Sequence, residues 1–224
     1  MAIISKDNTL EWVAYLVIGY LGLWFLPGIC LILLDNDFSS LIKFPLALLA
    51  SGATLYAFKK YLGWYVEDGA RLSAFGQIHK VGVGWLVSAL YLFTILICLF
   101  ATRHYSVAHL NFNLDHQLSW LSIFLLAAVI EEITARGILF RLITEKWNVV
   151  VGLVVSSIIF GFVHLFNPNA TALSCVRIAI TGGWLCAIAY AYHRTLWVPI
   201  GIHWAWNFIQ SNIFEHSVPG SALN

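Results

Sequence analysis

Long apolar runs separated by short polar connections dominate the chain, and their lengths predict its elements. Trp12–Leu34 runs for 23 residues without a charge, enough to cross a hydrocarbon core of ~30 Å as a helix, with Pro27 as a kink point. Asp35-Asn36-Asp37 predicts a polar turn. Leu41–Phe58 forms a second span whose Lys43 snorkels to the near interface, closed by Lys59-Lys60. Val81–Thr102, Leu118–Leu142, Trp147–Phe166, Ala170–Tyr192 and Thr195–Phe214 follow as further spans, with Asn167-Pro168-Asn169 turning the chain between the fifth and sixth. Two connections are longer. Between Tyr61 and Lys80, Leu72, Phe75 and His79 fall at helical spacing and read equally well as a short interfacial helix or a loop. Arg103–Gln117 holds His104, His109, His116 and Asp115, whose spacings fit no compact metal-ligand pattern, so a hydrated loop is the favoured reading.

Composition sharpens this picture. Of 224 residues, 60% are hydrophobic and 10% charged, and mean hydropathy is +0.82. Ordinary soluble domains carry about 25% charged residues, so this chain cannot hide its apolar surface in a soluble globule. Lipid permits only helices or closed barrels, and the long apolar runs select helices. The expectation is an all-α polytopic bundle of about seven spans, or eight, forming one membrane domain over residues 1–224. A net charge of +1 gives no basic field for nucleic acid. Cys30, Cys98, Cys175 and Cys186 lie in apolar stretches without CxxC spacing and read as small buried residues. Met1–Glu11 carries no removable signal sequence. With the N-terminus inside, Lys6, Lys59, Lys60, Arg71, Lys80, Arg141, Lys146 and Arg194 fall on the inner side, against Lys43, Arg103 and Arg177 outside. That asymmetry predicts a cytoplasmic N-terminus and an external C-terminus, and an integral protein of a prokaryotic cytoplasmic membrane is expected.

The candidate chemistry sits in the fourth span. Leu118–Ile130 has no charge, and then Glu131, Glu132 and Arg136 appear before the apolar pattern resumes. Each charge at a helix centre is unfavourable by roughly 2.5–3.5 kcal/mol, so the three must be paired or face protein or water. Glu132 and Arg136, four apart with the acid first, can pair along one helix face. Glu131 lies about 100° round the axis with no such partner, and is left as an acid or base.

Two other segments carry polar residues in apolar context. Phe160-x-x-x-His164 ends the fifth span, and His203-x-x-x-Asn207 lies within the seventh with both side chains on one face. A carboxylate and a histidine can hold and deprotonate water, and a histidine with an asparagine can donate to an oxyanion. No serine or cysteine has a partner base at fixed spacing, so hydrolysis by activated water is the natural reaction. Measured from the inner span ends, Glu131, His203 and His164 lie roughly 16, 12 and 25 Å deep at 1.5 Å per residue. His164 is thus expected about two turns too deep, which requires the fifth helix to tilt, start further out or be displaced.

Bland readings stand beside these. A lone intramembrane histidine or asparagine is often interhelical glue, and a buried Arg–carboxylate pair can be merely structural. The ordered trio weighs against them. Glu131-Glu132-x-x-x-Arg136, Phe160-x-x-x-His164 and His203-x-x-x-Asn207 together resemble the signature of the CPBP intramembrane proteases, the family of CAAX prenyl endopeptidases and bacteriocin-processing (Abi) enzymes. The resemblance covers residues 118–214, the part expected to carry the catalytic helices. It implies that Glu131 is the general base, that His164 orients the water, that His203 and Asn207 form the oxyanion hole, that Glu132 and Arg136 brace the site, and that Phe160 supports it. It further implies an endopeptidase acting on a membrane-associated or lipid-modified protein or peptide within the bilayer. The spacing matches no His-Glu-x-x-His zinc site, so a metal-independent glutamic mechanism without cofactor is expected, with a zinc-dependent CAAX-type metalloprotease as the alternative. A non-enzymatic immunity or scaffold protein, and a proton-coupled transporter, are the rivals; no internal repeat supports the transporter. Relatives with eight spans continue beyond the last motif, where this chain stops.

Overall fold

The computed structural model describes residues 9–34, 38–63, 77–104 and 113–211. Their regular structure is entirely helical, in the order α1 (Thr9–Leu34), α2 (Ser40–Gly63), α3 (Lys80–Ala101), α4 (Leu114–Glu132), a π-helical segment (Ile133–Phe140), α5 (Arg141–Lys146), α6 (Val149–Val163) with a 3₁₀ turn (His164–Phe166), α7 (Ala172–Ile178), a second π-helical segment (Ala179–Gly183), α8 (Trp184–His193) and α9 (Trp197–Ile209). Five stretches are long and apolar enough to cross a membrane: Thr9–Ile32, Ser40–Gly63, Lys80–Ala101, Val149–Phe166 and Ala172–His193. The protein is therefore an integral membrane protein, but the expected count of seven spans is not reached by this measure. The fourth expected span changes to π-helix at Ile133, and the last regular helix has only 13 residues.

These two exceptions form the interior. Every residue from Ile133 to Phe140 is buried, and α4 contributes Leu125, Leu126, Ala128, Val129 and Ile130 to the core. Around α4 and its π continuation pack α1, α2, α6 and α9. The outer helices instead turn large apolar side chains outward, such as Leu21, Phe25 and Ile32 of α1 and Leu86, Leu90 and Ile97 of α3. An apolar exterior is what lipid favours, and of the fourth span's charges Glu132 and Arg136 are shielded from lipid by other helices.

Local sequence explains the joints. Asn113 caps α4, its side chain accepting from the His116 N–H at 3.0 Å, and Asn148 caps α6 by accepting from Val150 and Val151. Asp115 Oδ1 accepts from the Ser40 N–H at 2.9 Å and the Ser39 hydroxyl at 3.3 Å, tying the start of α4 to the start of α2. The helix α9 is held between α3 and α4. A Cβ at Gly84 of α3 would meet the Val198 carbonyl oxygen and one at Gly201 of α9 would meet the Val81 carbonyl oxygen, so only glycine lets these backbones approach so closely. On the other side the Trp204 indole N–H donates to the Leu121 carbonyl at 2.9 Å.

Several expectations change in detail. Lys43 is 8% exposed and lies close enough to Asp115 at the start of α4 to favour its carboxylate. Cys175 and Cys186 are buried, but Cys30 is half-buried and Cys98 faces outward from α3; all four are free thiols. His116 accepts from its own helix neighbour Trp120 (indole N–H, 2.9 Å), while His109, Leu72 and Phe75 lie outside the described residues.

Candidate active site

The depth mismatch for His164 disappears when both residues are counted from the turn that joins their helices. The fourth helix does not end at Leu142 but continues to Lys146, and α6 starts after its Asn148 cap. Glu131 lies 16 residues before Trp147 and His164 16 residues after Asn148, so the two arms bring them level. The span end, not the helix, was misplaced.

Glu131 and Glu132 have separate surroundings. Glu132 is fully buried, and its Oε1 accepts from Arg136 Nη1 at 2.8 Å and lies 2.8 Å from His203 Nδ1. A carboxylate oxygen accepts, so His203 carries its proton on Nδ1 and presents Nε2 to the other side. The predicted pairing with Arg136 is present; the bond to His203 is an addition that spacing within one helix cannot reveal. Glu131 keeps 21% exposure, with Oε2 3.7 Å from His164 Nε2 and 3.7 Å from His203 Nε2.

His164 is oriented by the end of its own helix. Its backbone N–H bonds to the Gly161 carbonyl in the 3₁₀ turn, which leaves the Phe160 carbonyl to accept from the His164 ring Nδ1–H at 2.8 Å. Nε2 is thereby directed at Glu131. The four-residue spacing of Phe160 and His164 has this geometric cause. The Phe160 ring does more: it lies 4.3 Å beneath the Arg136 guanidinium carbon, 5.0 Å from the His164 ring and 5.6 Å edge-on to His203.

Arg136 reaches a third element. Its Nη2 donates to the Gly183 carbonyl at 2.8 Å and the Gly182 carbonyl at 3.4 Å, both in the second π-helical segment. Widened i→i+5 turns recur at functional sites, and here two of them meet through one guanidinium. Sequence reading missed Gly182 and Gly183; their only trace is a Thr-Gly-Gly step inside an otherwise apolar span.

A cavity of about 140 Å³ opens beside these groups, lined by His164, His203 and Asn207 together with Thr181, Trp206 and Gln210. Asn207, one turn beyond His203 on α9, thus faces the same space. All seven residues singled out in the sequence are brought together here. Among the described residues no three His, Cys, Asp or Glu side chains are arranged to hold a metal ion. The site offers two oriented imidazoles and a carboxamide on the cavity wall and the Glu131 carboxylate 3.7 Å from both imidazoles, the set needed to bind water and receive negative charge.

Comparison with known proteins agrees with this assembly. No curated protein and no solved structure gives a significant match to the chain. Residues 113–209 match the family model described as Type II CAAX prenyl endopeptidase Rce1-like. That stretch carries the acidic pair, the arginine, both histidines and the asparagine in order, so this part of the chain is similar to the CAAX protease family that its motifs resemble.

Proposed function

We propose that the protein is an intramembrane endopeptidase in which Glu131 activates water for attack on a peptide carbonyl. The observation that carries this reading is the placement of Glu131 Oε2 at 3.7 Å from the Nε2 atoms of both His164 and His203. That separation is too long for a direct hydrogen bond and suits one water held between the groups. Glu131 takes a proton as the water oxygen bonds to the carbonyl carbon. His203, in its imidazolium form with Nδ1–H on Glu132 and Nε2–H free to donate, and Asn207 donate to the oxyanion that develops. Collapse of the intermediate breaks the C–N bond, and Glu131 returns the proton to the leaving amine. Glu132 and Arg136 hold His203 and the second π-helical segment in place. Each step in this scheme uses only these side chains and water.

The matched family model supports a substrate class. A CAAX prenyl endopeptidase acts on a prenylated C-terminal peptide, and a site within an apolar bundle suits a chain already anchored in the bilayer. The distribution of basic residues favours a cytoplasmic N-terminus.

The test is cleavage of a fluorogenic farnesylated CAAX peptide by purified protein in detergent. Glu131→Gln and His164→Ala should each lower kcat by at least the 10²–10⁴-fold typical of a lost general base or its partner, with melting temperature retained. Activity should survive chelation. Wild-type turnover by Glu131→Gln would overturn the reading, and activity removed by chelator and restored by zinc would replace it with the metalloprotease.

A further inference from the structure

Gln210 is one residue of the cavity that neither the motifs nor the mechanism uses, and its geometry is unusually well defined for an exposed side chain at a helix end. The Trp206 indole N–H donates to Gln210 Oε1 at 2.7 Å. Trp206 is itself fixed, its ring stacked on Tyr91 of α3 at 5.4 Å and 26°. With Oε1 committed as an acceptor, the part of Gln210 left for a ligand is its amide N–H₂, a donor pair. Both residues line the cavity that holds His203 and Asn207.

The opposite wall is complementary. Thr181 donates its hydroxyl proton to the Arg177 carbonyl at 2.8 Å, so only its lone pairs face outward. Gly182 lines the recess, and a Cβ built there would meet nothing within 4 Å, so the wall is open at that point. Donors stand on α9 and an acceptor on the second π-helical segment, with Ile178 and Ile202 as apolar flanks. This is the lining an extended peptide needs, since its carbonyls and N–H groups point to opposite sides.

Helix geometry then sets a register. Gln210 is seven residues beyond His203, about 10 Å along the axis at 1.5 Å per residue. An extended peptide advances about 3.3 Å per residue, so that distance spans about three residues. We infer that Gln210, held by Trp206, is a substrate-binding residue that donates to a backbone carbonyl or terminal carboxylate about three residues from the scissile carbonyl. This rests on the placement of the scissile carbonyl beside His203 given above.

The experiment uses two series of farnesylated, fluorescein-labelled peptides whose chains end one, two, three or four residues from the scissile bond, one series varied on each side. Binding is measured by anisotropy on the Glu131→Gln protein and KM and kcat on the active protein. Gln210→Ala should raise KM and Kd roughly three- to tenfold, the range one neutral hydrogen bond supplies, and only in one series and only for peptides of three residues or more. It should change kcat less than twofold. Trp206→Phe, which keeps the ring but removes the N–H, should give a similar rise in the same peptides. The double variant should be no worse than the more affected single, because the two residues act as one unit. Equal effects on short and long peptides, no effect on any, additive singles, or no binding by the series overturn the inference. Failure of Glu131 as base is distinguishable, since it would appear as retained turnover in Glu131→Gln while the length dependence at Gln210 stood.

Discussion

Replacing Glu132 with Gln isolates what the buried ion pair contributes, because the substitution preserves shape and removes only charge. Glu132 and Arg136 are 0% and 1% exposed, so solvent cannot screen the change. The Arg136 charge would be left with the Gly182 and Gly183 carbonyls and the Phe160 ring, while Nε has no hydrogen-bond partner among the described residues. Breaking a buried pair by removing one partner costs about 3–5 kcal/mol. For a chain of this size that corresponds to a fall in melting temperature of roughly 6–20 °C. The assay is thermal unfolding in detergent, with peptidase activity measured on the same preparations.

The informative control is Glu132→Gln with Arg136→Met. Replacing both charges of a buried pair is often neutral or stabilising, so the double variant should recover most of the lost melting temperature. Activity should not recover with it. His203 Nδ1 bonds the Glu132 carboxylate at 2.8 Å, and an amide in its place orients the ring less strongly. Stability restored without turnover would separate bracing from ring orientation. A Glu132→Gln protein melting within about 1 °C of the wild type, or a double variant less stable than the two singles combined, would refute the reasoning.

Other perturbations have equally defined outcomes. Asn207→Ala should lower kcat by roughly 10²–10³-fold with a smaller change in KM, as expected for a lost oxyanion donor, and steady-state kinetics would show the split. Gly201→Ala forces a Cβ against the Val81 carbonyl, so unfolding should reveal a loss of about 1–3 kcal/mol together with reduced turnover as α9 moves. The Asp115 carboxyl is held below its ordinary value of 3.8, first by the Ser40 hydroxyl and then by the Ser40 N–H. A lowered folded-state value stabilises the protein above the unfolded value and loses that contribution as pH falls through the folded one. The melting temperature of the wild type should therefore drop more steeply below about pH 4 than that of Asp115→Asn, and equal slopes would count against the contact.

Much of this site was legible in the sequence, for reasons that are local. Four-residue spacing within a helix announced the Glu132–Arg136 pair and put His203 and Asn207 on one face, and the apolar setting of Glu131 singled it out as a candidate. What could not be read were relations between helices. Nothing in the order of residues shows that the fourth segment is the centre of the bundle, because an apolar run looks the same facing protein or lipid. The fourth span's end at Leu142 falls short for a related reason: the charges that follow it look like a boundary, yet Glu145 pairs with Arg141 at 3.0 Å on a helix that continues to Lys146. The π-helical segments leave no periodic signal of their own, so the carbonyls of Gly182 and Gly183 were invisible as partners of Arg136.

The adjacency of two acids with opposite surroundings has a physical rationale. Neighbouring residues on a helix diverge by about 100°, so a single element can send one carboxylate inward and the next toward a recess. Glu132, pointing inward, is neutralised by Arg136 and turns its remaining interaction on His203 Nδ1; Glu131, partly exposed, faces the same ring's Nε2 at 3.7 Å. His203 is therefore held at Nδ1 by one of two consecutive residues and faces the other across a gap of 3.7 Å, so the bond to Glu132 fixes how the ring is presented to Glu131. Moving the acid pair by one residue would break that relation even with every residue type retained. Exchanging Glu132 for Asp, which shortens the arm holding Nδ1 by one methylene, should accordingly lower kcat more than it lowers the melting temperature. A variant in which stability fell and turnover per folded molecule did not would show that the grip on His203 is dispensable.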